Sequence, residues 1–480
     1  MSEIRQKTVN GLLWTFAESF SLQIFGFVQG VILARLLMPS DYGLIAMTGI
    51  FFAISYTLID SGFTNALVRK NSREPIDYST VYVTNVTLSL FFSILLAFSS
   101  TWIARFYDQP LLRDIVCVNA VYMFLQSFIA VQGTKLSIEL NFKLKSIIHV
   151  TSTIVIGVVS IILAFMGFGV WSLIYPNFLG LLVRGLMYWR FQHWFPGLNF
   201  SWKSFKEFFA YGSKIMLSGL LDTAYNNLAP LIIGKKFSSS DLGYYDKARS
   251  YASIPSTTAS NMLSKVTFPV LAKVQDDKYL LASVYRKMIR LSGFVVFPIM
   301  MLLAALAKPF VLLLITEKWA PAIPLLQVIC FSMMWYPIHA LNLNLLMVRG
   351  RSDLFLRLEI IKKIIGLSIL FTAIRYGVFW LCIGNIAGSL ICLIVNTFYT
   401  GKLIGVGYLT QMKDLTPSLL SSIFMGSIVF LLSIHFSSYL LQLVSGTILG
   451  ILIYIGLSYV FNNRDMSYSL SIFKENILKK

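Results

Sequence analysis

The sequence predicts an all-α polytopic membrane protein of about 14 transmembrane helices, built as two parallel six-helix lobes with two further helices at the C-terminal end. Composition is the first ground. Of 480 residues, 56% are hydrophobic and 13% charged, with a mean hydropathy of +0.73, against roughly half apolar and about a quarter charged in a soluble domain. The second ground is the recurrence of continuous apolar runs of about 18 to 25 residues, each able to cross about 30 Å of hydrocarbon. Their continuity, without polar alternation, excludes a β-barrel. The third is an internal repeat.

The first run, 11 to 34, is too long for a signal-peptide core and lacks a small-residue cleavage site, so it is a retained span. Runs at 42 to 66, 81 to 104, 114 to 134, 146 to 166 and 168 to 190 complete the first six. The seventh to twelfth are 208 to 233, 243 to 272, 287 to 307, 322 to 348, 357 to 374 and 376 to 401; the extra pair is 415 to 435 and 438 to 461. Helix-breaking prolines at 176, 230, 255, 269, 298 and 337 are tolerated in membrane spans and supply hinges. The spans leave about twelve residues for each tail or loop, too few for a soluble catalytic domain.

The net charge of +19 would suit nucleic acid only if gathered on one soluble face. Here the basic residues punctuate the spans, and no nucleic-acid partner is expected. Cytoplasmic loops carry the excess of Lys and Arg. With the N-terminus inside, eight of 40 basic residues (Arg35, Arg105, Arg113, Lys235, Lys236, Lys308, Lys318, Arg375) fall at outer ends and three (Lys214, Lys247, Arg249) within spans. The other 29 are cytoplasmic, in clusters such as Arg69, Lys70 and Arg73 that can also meet anionic lipid. Four cysteines lie in apolar segments without metal-ligand spacing, and the four histidines are scattered. No cofactor or metal is expected.

The repeat appears when the chain is slid along itself. Leu33, Ala34, Arg35, Ser40, Asp41 and Gly43 match Ile233, Gly234, Lys235, Ser240, Asp241 and Gly243 at an offset of 200. Gly169, Val170 and Trp171 match Gly377, Val378 and Phe379 at 208. The lobes are therefore residues 1–200 and 201–405, with 406–480 carrying the extra helices and a cytoplasmic tail. Six spans per lobe give parallel repeats, an arrangement of alternating-access transporters.

Gly11-Leu-Leu-Trp14, Ile32-Leu-Ala-Arg-Leu-Leu-Met-Pro-Ser-Asp-Tyr-Gly43, Asp60-Ser-Gly-Phe63, Ala66-Leu-Val-Arg-Lys70, Ala104-Arg-Phe-Tyr-Asp-Gln-Pro110 and Glu317-Lys-Trp-Ala-Pro321 together resemble bacterial polysaccharide flippases. These are the polysaccharide transporter branch of the multidrug, oligosaccharidyl-lipid and polysaccharide (MOP) superfamily, of the Wzx and colanic-acid-exporter type. The resemblance covers essentially the whole chain. It departs at Met38, where that family commonly has Gly. It implies two six-helix bundles around a cavity and movement of an undecaprenyl-diphosphate-linked oligosaccharide (an O-antigen, capsule or exopolysaccharide repeat unit) to the outer leaflet of the bacterial cytoplasmic membrane.

Ionisable groups inside spans are functional candidates because each is costly without a partner or water. Glu18 lies about 10 Å up the first helix and Asp222 about 20 Å up the seventh. The offset of 200 puts Glu18 opposite Ser218, one turn from Asp222, so each lobe presents an acid on one helical face; these are the ion-coupling candidates, for H⁺ or Na⁺. The eighth helix is the most polar, with Ser253, Thr257 and Asn261 as cavity candidates. Lys247 and Arg249 near its outer end either snorkel or, with Lys214, meet a lipid diphosphate. Arg35 and Lys235 occupy matching outer positions and suit anchoring. Asp60 caps its helix or pairs with Arg69 or Lys70, or serves a gate.

A lipid II flippase and a multidrug or cation antiporter of the same superfamily share this architecture. A membrane polysaccharide polymerase would share the substrate, but the chain has neither a large outer loop nor an acidic metal-binding cluster, and no enzymatic activity is expected. The expected partners are membrane lipids, the lipid-linked oligosaccharide, and the polymerase and chain-length regulator of the same pathway. Reporter fusions should place both termini and the loop near residue 200 in the cytoplasm; an outer C-terminus would make the span number odd.

Overall fold

The computed structural model describes residues 2–60, 62–192 and 194–461; the C-terminal tail predicted from the sequence lies outside them. The helices are α1 (Ser2–Leu36), α2 (Pro39–Asp60), α3 (Phe63–Arg69), α4 (Pro75–Tyr107), α5 (Leu112–Ile138), α6 (Phe142–Phe165), α7 (Tyr175–Gln192), α8 (Trp202–Lys236), α9 (Ser239–Lys273), α10 (Lys278–Ala305), α11 (Ala307–Ile315), α12 (Ala322–Met333), α13 (Tyr336–Val348), α14 (Ser352–Ala373), α15 (Val378–Ile404), α16 (Tyr408–Ser433) and α17 (Tyr439–Phe461). Among the described residues, eleven helical stretches are long and apolar enough to cross a membrane. The predicted seventh, eighth and eleventh spans are α8, α9 and α14, which are long enough but richer in polar and charged residues. Pro176 and Pro337 stand in the first turns of α7 and α13, whereas Pro230, Pro255, Pro269 and Pro298 lie inside unbroken helices.

The repeat is visible in the helix boundaries. α1 ends at Leu36 and α8 at Lys236; α2 begins at Pro39 and α9 at Ser239. Each second helix is capped alike, with Asp41 Oδ2 accepting from the Met38 N–H (2.9 Å) and Asp241 Oδ2 from the Ser238 N–H (3.1 Å). Met38 is not among the residues of positive φ, so the turn does not need glycine there. The two junctions also meet reciprocally. A methyl group on Gly43 would lie 1.7 Å from the Ser239 carbonyl oxygen, and one on Gly243 2.0 Å from that of Pro39. Only glycine permits this approach, which explains why both copies of the repeat keep it.

The chain packs as two compact units, one to Gly243 and one from Tyr244. In the first, α4 lies along α5, α1 along α6, and α8, the first helix of the second repeat by sequence, packs on α2, α3 and α4. The α4–α5 seam uses small hydroxyl residues: Ser89 and Ser93 donate to the carbonyls of Met123 (3.0 Å) and Ala120 (2.8 Å), bonds that suit helices surrounded by hydrocarbon. The Asp60-Ser-Gly-Phe motif ends α2 and starts α3. Gly62 has φ +71°, and a methyl group there would fall 2.7 Å from Gly212 Cα on α8.

In the second unit, α16 and α17 are fastened to the bundle by polar groups. Gln411, fully buried, donates to Asn342 Oδ1 (3.1 Å), Thr400 Oγ1 (3.0 Å) and the Val406 carbonyl (3.1 Å), while Asn342 Nδ2 donates back to Gln411 Oε1 (3.1 Å). This joins α13, α15 and α16. Arg286 on α10 grips Asp414 on α16 with two 2.7 Å bonds, and Arg290 adds a longer contact at 3.7 Å. α17 docks through Gly446 and Gly450 on Leu306 and Leu302, and Tyr454 donates to the Phe294 carbonyl at 2.8 Å. Asp414→Asn should cost about 2 kcal/mol, lowering the midpoint of thermal unfolding in detergent, whereas Arg290→Gln should cost well under 1 kcal/mol. Equal losses would contradict the assignment of the pair to Arg286.

Candidate functional site

Within the first unit the interior of the bundle carries a set of polar side chains from five helices. Glu18 on α1 uses both carboxylate oxygens: Oε2 accepts from the Ser146 hydroxyl at 2.6 Å and Oε1 meets His149 Nδ1 at 2.7 Å, both partners on α6. The Glu18 side chain is 17% exposed, His149 half exposed. On α7, Arg184 donates through Nη2 to the Tyr122 hydroxyl (3.1 Å) and through Nε to the Gly180 carbonyl (3.4 Å). The Tyr56 hydroxyl of α2 donates to Gln126 Oε1 of α5 at 3.2 Å. Tyr188, one turn beyond Arg184, lies within Coulombic reach of both Arg184 and Glu18, and Tyr56 within reach of Arg184 and Tyr122.

Arg184 sits about 12 Å inside the end of α7 at 1.5 Å per residue. The charge count leaves it among the 29 cytoplasmic basic residues, although it falls within the predicted sixth span, 168 to 190. Its hydrogen bonds instead run into the bundle, to a phenol and a carbonyl and not to a carboxylate, so the site keeps a cation with donor capacity to spare. The scattered histidines gave no hint of His149, because its partner is 131 residues away. A signal for Arg184 did exist: Arg184 with Tyr188, and Tyr122 with Gln126, are polar pairs one helical turn apart in otherwise apolar runs.

At the α3 end of this unit, Lys70 pairs with Asp77 (3.0 Å) and Glu207 (3.2 Å), joining α3 to α4 and α8. Burial opposes the Lys70 ammonium, but the bonds to Asp77 and Glu207 outweigh it and hold Lys70 above the ordinary lysine range. Lys70 therefore does not take Asp60, and Arg69 lies 4.6 Å over the Tyr211 ring. Asp60 is exposed at the last position of α2.

The other predicted residues are placed as follows. Lys214 and Asp222 are exposed on α8, Asp222 beside Thr223, whose hydroxyl meets Thr57 of α2 at 3.2 Å. Arg35 is exposed one residue before the end of α1. Lys235 pairs with Asp108 at 3.2 Å and lies 5.2 Å from the Phe106 ring. In the second unit Lys247 is buried, over the rings of Tyr251 (5.5 Å) and Trp319 (5.8 Å). The Trp of the Glu317-Lys-Trp motif is thus a lid on that lysine, which neither snorkels nor faces open space. Arg249 bonds Tyr245 and shares the field of Asp246 with Lys247. Ser253 and Thr257 donate to carbonyls of their own helix, those of Ser250 (2.8 Å) and Ser253 (2.7 Å), and Asn261 is exposed.

Comparison with known proteins gives the family of the chain. Residues 32–324, more than half of the chain, match the model of a family described as polysaccharide biosynthesis protein. The chain belongs to this family. It is 25% identical over 404 residues to the lipopolysaccharide biosynthesis protein WzxC of Escherichia coli strain K12, covering 82% of this chain and 80% of that one. It is 25% identical over 381 residues to the teichuronic acid biosynthesis protein TuaB of Bacillus subtilis strain 168, covering 78% of each. In fold it is similar to the lipid II flippase MurJ in an inward closed conformation, with a TM-score of 0.75, 15% identity and coverage of 94% of this chain and 99% of that one. An inward-facing multidrug resistance MATE transporter of the MOP superfamily gives a TM-score of 0.63 at 14% identity, over 80% and 96%. The family's polytopic helical fold is therefore the fold of this chain.

Glu18 and His149 should behave as a unit. In a double-mutant cycle of Glu18→Gln and His149→Ala, thermal unfolding in detergent should return a coupling of about 1 kcal/mol; additive losses would mean that the pair does not form.

Proposed function

We propose that the chain is a flippase that carries an undecaprenyl-diphosphate-linked oligosaccharide from the cytoplasmic to the outer leaflet of the bacterial cytoplasmic membrane by alternating access. The observation that carries this reading is a charged and hydroxyl-rich interior inside a membrane bundle of the polysaccharide biosynthesis family. A sugar head with a diphosphate cannot cross hydrocarbon unaided, because each desolvated charge costs many kcal/mol, so its path must offer polar groups. Arg184, with forked donors to spare and Tyr56, Tyr122 and Tyr188 around it, supplies an anion contact and hydroxyls for sugar. Among the relatives one is named a succinoglycan biosynthesis transport protein, from Rhizobium meliloti strain 1021, 24% identical over 330 residues.

The moving lobes in this reading are residues 1–200 and 201–405, and 406–480 forms the accessory pair, with both termini cytoplasmic. Glu18, with His149, takes the coupling ion, H⁺ or Na⁺, and Asp222 is its counterpart in the second repeat. Lys214, Arg249, Ser253, Thr257 and Asn261 line the substrate path, while Lys247 supports it from beneath Trp319. A polymerase and a chain-length regulator of the same pathway receive the product. Lipid II is the alternative cargo.

In a strain lacking its own polysaccharide flippase, the chain should restore surface polysaccharide. Arg184→Ala should lower export about tenfold, the scale of one lost charge-assisted bond, at normal protein abundance, and Arg184→Lys should recover part of it. Full export by the Ala variant would remove Arg184 from the path. Restored growth of a strain depleted of its lipid II flippase, without restored polysaccharide, would replace the cargo.

A further inference from the structure

The connection between α7 and α8 carries apolar side chains where an extramembrane loop would ordinarily be polar. The sixth span ends at Gln192, and the segment that follows is rich in aromatic residues. Phe195 is 63% exposed, Leu198 80% and Trp202 66%; Phe200 and Phe209 are also exposed. These groups are not the outside of a loose loop. Pro196 is buried, the Ser201 N–H donates to Thr80 Oγ1 of α4 at 3.1 Å, and Trp194 stands edge-on to Tyr78 at 5.5 Å with Lys135 4.2 Å over its ring. The backbone is thus pinned to the ends of α4 and α5. From there the rings run in a continuous ladder: Phe200 to Trp202 (5.3 Å), Trp202 to Phe205 (5.3 Å), Phe205 to Phe209 (5.8 Å).

Basic residues frame this face. Arg190 on the last turn of α7 and Lys203 and Lys206 on the first turns of α8 are all exposed. The neighbouring acid, Glu207, is already engaged by Lys70 at 3.2 Å, so it does not cancel them. An exposed apolar ladder at the level of a span's end, held rigid and flanked by cations with no carboxylate partner among the described residues, has the chemistry of a surface that sits in the headgroup zone. Rings occupy the boundary between acyl chain and headgroup, and ammonium and guanidinium groups meet lipid phosphate.

We propose that residues 194–209, with Arg190, form a membrane-surface anchor that binds anionic lipid headgroups of one leaflet. The anchor holds the start of α8, the helix that opens the second repeat, at a set depth beside α3 and α4. It does not depend on which cargo the protein moves.

The test uses the full chain with its four native cysteines replaced and an environment-sensitive fluorophore on Leu198→Cys, reconstituted in phosphatidylcholine vesicles with or without phosphatidylglycerol. Spin-labelled lipid carrying its label near the headgroup should quench the fluorophore more than lipid labelled at the chain end. Spin-labelled phosphatidylglycerol should quench it more than spin-labelled phosphatidylcholine, and Lys203→Gln and Lys206→Gln should each reduce that preference about fivefold. The same fluorophore at Leu95, exposed on α4, should be quenched by the chain-end label in every variant, which verifies that the protein is folded and inserted. Quenching of position 198 by aqueous iodide and not by lipid, the result for a surface kept for a soluble partner, overturns the proposal. Equal quenching by the two lipid classes also overturns it.

Discussion

Hydrocarbon offers no water to an unmade hydrogen bond, and the organisation of this protein follows from that constraint. The backbone answers it by being helical almost throughout. Side chains answer it locally, as Ser and Thr donate to carbonyls one turn back, with Thr84 to Thr80 at 2.8 Å and Thr397 to Leu393 at 2.8 Å among many. Other side chains answer it by reaching another helix. Glu18 finds Ser146 and His149, Arg184 finds Tyr122, and Gln411 finds three partners at once. These interhelical bonds decide which helices stay together.

The two units use the rule differently. The buried network around Gln411, Asn342 and Thr400 in the second unit is closed on itself, and with Arg286 and Asp414 it makes α16 part of the bundle. The polar set in the first unit is open by comparison. His149 is half exposed, Arg184 keeps donors, and tyrosine hydroxyls surround it. A satisfied network rigidifies, whereas an incompletely used one is suited to a ligand that completes it. The proposed anion contact at Arg184 rests on that contrast.

Alternating access also needs elements that separate without losing their own structure. The junctions α1–α2 and α8–α9 approach most closely through glycine and backbone, at Gly43 with Ser239 and Gly243 with Pro39, while each is capped internally by its own aspartate. Parting them would break no cap. At the other end of α8 the attachment is of another kind, with Lys70 bonded to Glu207 and Gly62 pressed on Gly212.

Much of this could be read before any coordinates. Run length and composition determined the class, because the bilayer sets helix length; the offset of 200 related the two helix junctions to each other residue for residue, because a cap and a close-approach glycine leave a short local signature, although the apolar runs put the helix ends two to four residues away from where they fall. Depth estimated from sequence was less reliable. Lys247 looked like a snorkelling or cavity lysine and is roofed by Trp319, a residue 72 positions away, and Arg184, not singled out among the basic residues of the sequence, points into the bundle. Asp60 was a reasonable partner for Lys70 until Asp77 and Glu207 proved to hold it. Spacing along a chain specifies which residues share a helical face. Which face meets which neighbour is set by packing between helices distant in sequence, and only the tertiary structure decided it.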